Sequence, residues 1–462
     1  MSCSSSGNSY IDSFSSIHSD GSMIIDESSF TFSLCSSFTS SSFVDSLTDS
    51  SDSDDDSSMY TVNSDNSLLQ LCLITMRLSE RAVKCHRSRI DWENHALILR
   101  HEKQFDCKYR MSYESFNKLV STLHPALEQN NSKSMNSCAE PAISAPHILG
   151  LTIHWLSGSS FHDIHDAGNF SRPTFFRLLW KGISAVTNSK RLEMNLPRTF
   201  EELDELRRGF ELKSTEEVMS GCIGALDGML LLILTPTRKE AMNVRQFFSG
   251  HYQRMGLNVQ ALVDSKLRFL YAGILKGGRS SDYKSYMQSR LMSWIESLPP
   301  WYFVAGDNAY VCTEHLLTPF MGSNRLNPDN DSYNFFLSQL RICVEMAFGR
   351  LVSKWRILRA PLEVPLSKCA SVFQACCHLH NFCIDEMVND SGEATRIETV
   401  YSNDDTIFGY IPSDFSNAPA SGSILRQKLV QKIASKSLSR PELNIKRRTF
   451  EDERRAIYYA PT

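Results

Sequence analysis

The chain has 462 residues, of which 42% are hydrophobic, so it can bury at least one large core, and its length predicts two or three domains. The net charge of −4 conceals an asymmetry, because residues 1–76 contain eleven acidic residues and no Lys or Arg, which leaves +7 for the remainder. Thirteen scattered cysteines favour a reducing compartment, and the absence of a basic leader and of an unbroken apolar run argues against secretion and against a membrane partner.

The first segment, residues 1–66, is dominated by Ser and Asp. Such a composition cannot bury enough apolar surface to offset the entropy of ordering, so we predict a disordered acidic N-terminus. Interspersed Phe residues leave an acidic-aromatic interaction segment as an alternative to a plain flexible tail.

Residues 67–215 show helical periodicity and are predicted to form a helix-turn-helix-like DNA-binding region. Helices are expected at Ile148–Leu156 and Phe161–Ala167, and a third helix should begin after Ser171 as N-cap, with Pro173 in its first turn. The cations of this third helix are Arg172, Arg177 and Lys181. In a DNA-reading role they would contact phosphates or base edges, whereas a helical hairpin that binds nothing is the alternative.

Residues 216–388 change to a strand pattern followed by alternating strands and helices, with turns expected at Gly228 and at Asp264-Ser265. The predicted strands are Cys222–Asp227, Leu230–Thr235, Leu257–Asp264, Phe269–Leu275 and Tyr302–Gly306. The predicted helices lie near Tyr283–Ile295, Asn334–Val352 and Leu366–Glu386. This order predicts an α/β domain with one mixed sheet flanked by helices.

Residues 389–462 are predicted to be a linker and a basic C-terminal tail. Residues 424–462 carry ten Lys and Arg against four acids, including Lys446-Arg447-Arg448 and Arg454-Arg455. Such a tail suits a polyanion partner or nuclear import, and a merely solvated tail is the alternative.

Three acids stand in settings that suit a metal site. Asp227 ends an apolar strand before Gly228, Asp307 follows the strand that ends at Gly306, and Glu345 lies on a largely apolar helix. A two-metal phosphoryl-transfer centre needs hard carboxylate oxygens from distant points of the chain. Two of the acids also have simpler explanations: a turn cap for Asp227, and an i,i+4 ion pair with Arg341 for Glu345.

Seven ordered motifs between Gly224 and Cys383 resemble the catalytic domain of PIF/Harbinger-type transposases and their domesticated nuclease relatives. The motifs are Gly224-Ala225-Leu226-Asp227-Gly228, Asn258-Val259-Gln260-Ala261-Leu262-Val263-Asp264, Gly277-Gly278-Arg279-Ser280-Ser281-Asp282, Gly306-Asp307-Asn308-Ala309-Tyr310, Leu317-Thr318-Pro319-Phe320, Glu345-Met346-Ala347-Phe348-Gly349-Arg350-Leu351 and Leu379-His380-Asn381-Phe382-Cys383. The chain departs from the family at Lys276, where a Pro is usual, and at Phe335-Phe336, where many relatives have basic residues.

The resemblance implies a ribonuclease H-like fold and a DDE endonuclease or transposase that cleaves and joins DNA with Mg2+ or Mn2+. It assigns metal binding and catalysis to Asp227, Asp307 and Glu345, with Asp282 as a further acid beside the metal. It also implies DNA as partner and end recognition shared with a Myb-like protein, while homo-oligomer formation stays open. Together with the basic tail, these points predict a location in the nucleus, and an additional location in the cytoplasm stays open.

Two alternatives belong to other classes. A domesticated DNA-binding or scaffold protein would retain the fold without cleaving anything. A zinc-dependent hydrolase would use the crowded Cys and His residues between Cys376 and Cys383, although their spacing is too tight for an ordinary structural zinc site.

Overall fold

The computed structural model describes residues 89–138, 141–391 and 423–446. The predictions for the acidic N-terminal residues 1–66, for most of the linker, and for the arginines after Lys446 lie outside these ranges. All described residues fall in one unit of mutual contacts, with no division near residue 215. In the described part of the chain, no helix combines the length and apolar character needed to cross a membrane.

The helical region before the sheet is built from short amphipathic helices, several of which start at Ser, Thr or Asp caps. In chain order they are α1 (Trp92–His101), α2 (Phe105–Tyr109), α3 (Tyr113–Leu127), α4 (Asn131–Cys138), α5 (Ala145–Leu156), α6 (Phe161–Ala167), α7 (Arg172–Thr187) and α8 (Phe200–Glu211). Helix α8 shows the local logic most fully: Thr199 and Glu202 form a reciprocal capping box, so two otherwise unpaired amides are satisfied at its start. An aromatic cluster around Trp92 and Phe116 joins α1, α2 and α3.

The predicted third helix forms as α7, with Ser171 accepting a hydrogen bond from the Thr174 amide. Its cations have partners inside the protein: Lys181 Nζ donates to the Glu128 carbonyl at 2.6 Å, and Arg177 Nη1 donates to Gln129 Oε1 at 3.2 Å. Much of α7 is buried against α3 and α5. The start of α7 agrees with the prediction, and a DNA-reading role for this helix stays a prediction.

The central sheet is mixed. Its strands are β1 (Cys222–Leu232), β2 (Phe248–Ser249), β3 (Arg254–Val263), β4 (Phe269–Gly277), β5 (Phe303–Gly306) and β6 (Leu316–Leu317). Strand order is β2–β3–β1–β5–β6, with β4 also paired to β3. The β1–β3 and β3–β4 pairs are antiparallel, whereas β1–β5 and β5–β6 are parallel. The predicted mixed α/β sheet flanked by helices is confirmed, and the narrower ribonuclease H-like class stays a prediction.

The predicted turn at Gly228 is wrong, because β1 continues through this residue and pairs Gly228 with Gln260. The glycine serves a different purpose: a Cβ atom here would lie 2.1 Å from Asp282 Oδ1. Because Gly228 has no side chain, the Asp282 carboxylate can lie directly against the strand. The glycine thus permits a close approach and does not form a turn. The second predicted turn is confirmed, since Asp264 Oδ1 accepts the Arg268 amide at 2.7 Å.

The helices around the sheet are α9 (Asp282–Met287), α10 (Arg290–Glu296), α11 (Pro328–Lys354), α12 (Leu366–Ser391) and α13 (Ile424–Ser435). The single helix expected near Tyr283–Ile295 is split, because Ser289 caps α10 through the Met292 amide. Helix α11 begins earlier than expected, at a cap formed by Asn327.

The C-terminal segment 423–446 differs from the predicted tail, because it packs against α11. Leu429 and Ile433 of α13 are buried, and Arg440, 5% exposed, donates from Nε to Asp331 Oδ2 at 2.9 Å. The Arg440 guanidinium also lies 5.3 Å from the centre of the Phe335 ring. Apolar residues at helical spacing thus anchor a segment whose charge alone suggested a solvated tail.

Two asparagines attach α11 and α12 to exposed backbone of the sheet region. Asn381 on α12 accepts the Phe269 amide and donates to the Phe269 carbonyl, each at 2.8 Å, at the start of β4. Asn334 on α11 bonds both backbone groups of Phe320, at 2.7 and 3.0 Å, just after β6. Each amide side chain thereby replaces one missing strand neighbour.

We predict that Asn381→Ala lowers the free energy of unfolding by about 2–4 kcal/mol, because two backbone groups beside the buried Phe269 ring lose their partners. Urea unfolding followed by fluorescence measures the change. The control is Asn188→Ala, which removes one exposed hydrogen bond to Ser184 and should change stability by less than about 0.5 kcal/mol. Equal effects of the two substitutions would contradict the attachment role of Asn381.

Candidate metal centre

Two of the predicted acids lie side by side, Asp227 within β1 and Asp307 directly after β5. In the parallel β1–β5 pair Leu226 is in register with Gly306, so Asp227 and Asp307 are the next residues on adjacent strands. The Gly228 amide donates to Asp227 Oδ1 at 2.7 Å, and the Ala309 amide donates to Asp307 Oδ1 at 2.9 Å. Strand register and local backbone bonds therefore place these two carboxylates together.

Glu345 reaches the same place from α11, which packs against β1 and β5. Arg341, one helical turn earlier, lies with Nη1 2.5 Å from Glu345 Oε1 and 4.0 Å from Asp227 Oδ2. The simple i,i+4 ion pair considered from the sequence is therefore present. It does not compete with the acidic cluster, because the same guanidinium also faces Asp227.

Asp282 approaches the cluster from the first turn of α9, through the space left at Gly228. Its Oδ1 accepts hydrogen bonds from Asn258 Nδ2 at 2.8 Å and from Gln260 Nε2 at 2.9 Å. Tyr310 OH in turn donates to Gln260 Oε1 at 2.6 Å. A fixed chain of polar groups thus orients this carboxylate.

Asn258, Gln260 and Tyr310 carry part of the site, although the sequence analysis assigned no role to them. The available signal was the spacing of Asn258 and Gln260, which lie two residues apart on a strand and so share one face. Both are buried, at 7% and 0% exposure, on a strand of otherwise largely apolar residues. A buried polar pair on one strand face indicates a partner across the sheet.

The electrostatic environment of the cluster disfavours ionised carboxylates. Burial, and next the charge of Asp307, raises the pKa of Asp227 well above its ordinary value. Burial raises the pKa of Asp307 to about 6, although Arg341 opposes the shift. Burial also raises the pKa of Asp282 against the opposing effect of its two amide donors.

The same field reaches the loop between β2 and β3. Burial, followed by the charges of Asp282 and the other two aspartates, raises the pKa of Tyr252 to about 12. Tyr252 is 41% exposed, and its ring centre is 4.7 Å from that of His251. This loop, for which the sequence predicted no role, therefore borders the carboxylates.

The donor set fits a hard divalent cation. The four carboxylates and the Arg341 guanidinium together carry a net charge of −3 when all are ionised. Carboxylate oxygens are the ligands that Mg2+ and Mn2+ prefer, and cations of that charge would offset the repulsion that raises these pKa values. In the described ranges no three Asp, Glu, His or Cys side chains already converge around one point, and Arg341 contacts two of the acids.

The Cys and His segment on α12 directs its histidines to different neighbours. His378 Nδ1 bonds the Val186 carbonyl of α7 at 3.1 Å, whereas His380 Nε2 bonds the Leu267 carbonyl between β3 and β4 at 2.9 Å. Burial lowers the pKa of His380 to about 4, so a neutral ring donates this bond. These rings therefore join α12 to two other elements, and the geometry does not favour the zinc alternative.

Comparison with known proteins agrees with this geometry. Residues 226–381, about a third of the chain, match the sequence model of a family described as DDE superfamily endonuclease. The matched segment contains Asp227, Asp282, Asp307 and Glu345. Neither the curated proteins nor the solved structures gave a match. The match supports the DDE endonuclease superfamily for this segment, and nuclease or transposase function is what that similarity suggests.

Proposed function

We propose that the protein is a divalent-metal-dependent DNA endonuclease or transposase of the PIF/Harbinger type. The observation that carries the proposal is the placing of Asp227 beside Asp307 by two parallel strands, with the Arg341 guanidinium facing both Asp227 and Glu345. Carboxylates that lie close together repel one another, and bound cations offset this repulsion. Such a cluster is therefore more typical of a cation site than of a purely structural core.

In this proposal Asp227, Asp307 and Glu345 hold Mg2+ or Mn2+, which would activate an attacking water or DNA 3′-hydroxyl and stabilise the leaving oxygen. Asp282 orients or completes the metal shell, since Asn258 and Gln260 fix its Oδ1. Arg341 balances part of the negative charge before metal binding and stays within reach of Glu345 Oε1. The exposed fractions of the Asp227 and Glu345 side chains, 21% and 29%, leave the cluster open to solvent and substrate.

The proposal extends to partners and location. DNA is the substrate, the nucleus is the location, and a Myb-like protein shares end recognition, while an additional cytoplasmic location and self-association stay open. The resemblance of the motifs supports the substrate and the partner, and the basic residues after 424 support the location. The remaining alternative is a scaffold that keeps the fold without cleaving DNA. Only a measurement of DNA cleavage distinguishes this scaffold from the nuclease.

We predict that Asp307→Asn lowers Mg2+- or Mn2+-dependent cleavage of duplex DNA by at least about 10²-fold, the scale of removing one charge-stabilising group from a transition state. Nicked product from supercoiled and linear DNA measures the rate. The control Asp385→Asn makes the same chemical change at an acid that pairs with Arg268, and should cleave as the parent does. Cleavage unchanged by Asp307→Asn would overturn the nuclease proposal, and DNA binding without any product would favour the scaffold.

We predict that stabilisation by Mg2+ or Mn2+ weakens as pH falls below about 6. The folded-state pKa of Asp307 is raised to about 6, so the folded chain keeps a proton between roughly pH 4 and pH 6 that the unfolded chain has released. The metal-free protein therefore loses stability as pH rises through this window. Metal must displace that proton, so its apparent affinity should fall about tenfold per pH unit below pH 6 for each proton displaced.

Melting temperatures with and without metal, from pH 5 to pH 8, test this dependence. At metal concentrations of about 100 times the dissociation constant, stabilisation near pH 7.5 should approach about 2.7 kcal/mol. Asp307→Asn should abolish most of the increment and flatten its pH dependence. An increment that grows towards pH 5 would contradict the role of these carboxylates.

We predict that Gly228→Ala lowers metal affinity by about 10–100-fold, the usual cost of disturbing the groups that orient a ligand. The added methyl group would meet Asp282 Oδ1 at 2.1 Å and displace this carboxylate from its amide donors. Mn2+ titration by calorimetry gives the affinity. Gly349→Ala is the control, because its added Cβ meets nothing within 4 Å and should stabilise α11 by about 0.5–1 kcal/mol. Equal metal affinity in the two variants would contradict the packing role of Gly228.

A further inference from the structure

Three arginines outside the acidic site have side chains without a partner, as several other arginines of the described ranges do. They are Arg110 at the end of α2, and Arg356 and Arg359 in the 3₁₀ helix that follows α11. Among the described residues, none of the three guanidinium groups has an ion pair, hydrogen bond or ring contact, and Arg110 Nε is buried without a partner. A buried donor left unpaired is uncommon and costs stability.

The local fold brings these side chains to one place. Arg356 and Arg359 are three residues apart in a 3₁₀ helix, so their side chains lie on the same face, opposite the buried Trp355 and Leu358. Arg356 packs against the turn after α5, where a Cβ at Gly158 would lie 2.7 Å from Arg356 Cβ.

Arg110 also lies near this end of α5. The ring of its neighbour Tyr109 lies with its centre 6.3 Å from that of His154, in the last turn of α5. Burial, and next the charges of Arg356 and Arg359, lowers the pKa of Arg110. Three like charges therefore share one surface without a carboxylate among the described residues that pairs with them.

This arrangement contrasts with the cations of α7. Arg177 and Lys181 donate to Gln129 and Glu128, and Arg172 lies 5.4 Å from the centre of the Phe161 ring. Within the described ranges, the three unpaired arginines instead present charge that is left for an external anion to neutralise. Arginine is suited to this task because its planar fork binds phosphate oxygens in pairs.

The position of the three arginines also suits a long anion. Arg356 follows the end of α11 at Lys354, and Glu345 lies on the same helix nine residues before that end. Nine residues of helix span about 14 Å along the axis. That length corresponds to about four base pairs of duplex, so one DNA molecule can reach both places.

We propose that Arg110, Arg356 and Arg359 form a docking site for the phosphate backbone of duplex DNA. We call this set the arginine surface. It rests on the proposed function, which it deepens by naming a surface that holds the substrate away from the cleaved bond. Phosphate contacts position a duplex without reading its sequence, so the arginine surface supplies affinity and register and leaves specificity to other contacts.

The experiment uses the full chain with Arg356→Gln and Arg359→Gln combined, because both residues are exposed and Gln keeps the packing of Cβ on Gly158. Binding of a fluorescent 30-base-pair duplex is measured by anisotropy in EDTA at several salt concentrations. The double variant should bind more weakly to all sequences alike. The slope of log affinity against log salt should become shallower by about 1.8, at about 0.9 for each phosphate that the variant no longer neutralises.

A charge-matched control is Arg208→Gln combined with Lys266→Gln. These two exposed cations already pair with Asp204 and Glu205, so they should contribute little to the salt slope. Thermal unfolding separates binding from a structural role. If these arginines only stabilise the end of α5 by complementing its helix dipole, their replacement should lower the melting temperature. The arginine surface predicts an unchanged or higher melting temperature, because repulsion with Arg110 is relieved.

Other outcomes decide against the arginine surface. Equal weakening by the control pair, an unchanged salt slope in the double variant, or no DNA binding by the parent protein would each overturn it. Tighter binding of an RNA duplex that depends on the same pair would overturn the assignment to DNA. Binding is measured in EDTA and so does not depend on metal. If the protein binds DNA through the arginine surface but never cleaves it when metal is supplied, only the nuclease proposal is refuted. Cleavage with unaltered binding in the double variant refutes the arginine surface alone.

Discussion

The parallel pairing of β1 with β5 is the constraint on which the candidate site depends. It sets Leu226 opposite Gly306 and leaves Asp227 and Asp307 as neighbours. Two like charges held this closely in a part-buried place are unfavourable unless protons or cations are bound. Burial raises the pKa of Asp227, the charge of Asp307 that this register places beside it raises the pKa further, and the nearby Arg341 opposes the shift.

The surrounding fold keeps that register. Helix α11 buries Leu340, Val344 and Phe348 while it turns Arg341 and Glu345 towards the strands, so one element supplies both core packing and charge. Asn381 and Asn334 hold the start of β4 and the segment after β6 against α12 and α11. These amides satisfy backbone groups at the start of β4 and just after β6, so they attach outer parts of the sheet whose inner strands position the acids.

Much of the fold was predictable because periodicity and caps are local signals. The strand and helix types, the cap at Ser171 and the mixed sheet came from hydrophobic pattern and turn residues. Gly228 was misjudged because a glycine after a strand usually marks a turn, and only the approach of Asp282 shows its other purpose. The packing of α13 was missed because the net charge of 424–462 concealed the apolar spacing of Leu429 and Ile433.

The sequence predicted which acids belong to the site, but it did not predict the contacts that the surrounding side chains make with them. Motif resemblance named the four acids, whereas the roles of Asn258, Gln260 and Arg341 depend on which side chains meet across strands and along a helix. The same limit applied to Arg110 and Arg356. They are 246 positions apart in the sequence, and no local pattern could reveal that their side chains share the end of α5.

The acidic site and the arginine surface carry opposite charges and would therefore act on DNA in opposite ways. The acidic cluster carries a net −3 when ionised, so it repels the phosphate that it is proposed to cleave. Without bound cations, duplex DNA would be drawn to the unpaired arginines and held away from the carboxylates. Two divalent ions would add four positive charges and reverse the sign of the cluster, so the scissile phosphate could enter only with metal. If the arginine surface holds the duplex and the acidic cluster cleaves it, metal binding would be the step that allows DNA to approach the carboxylates.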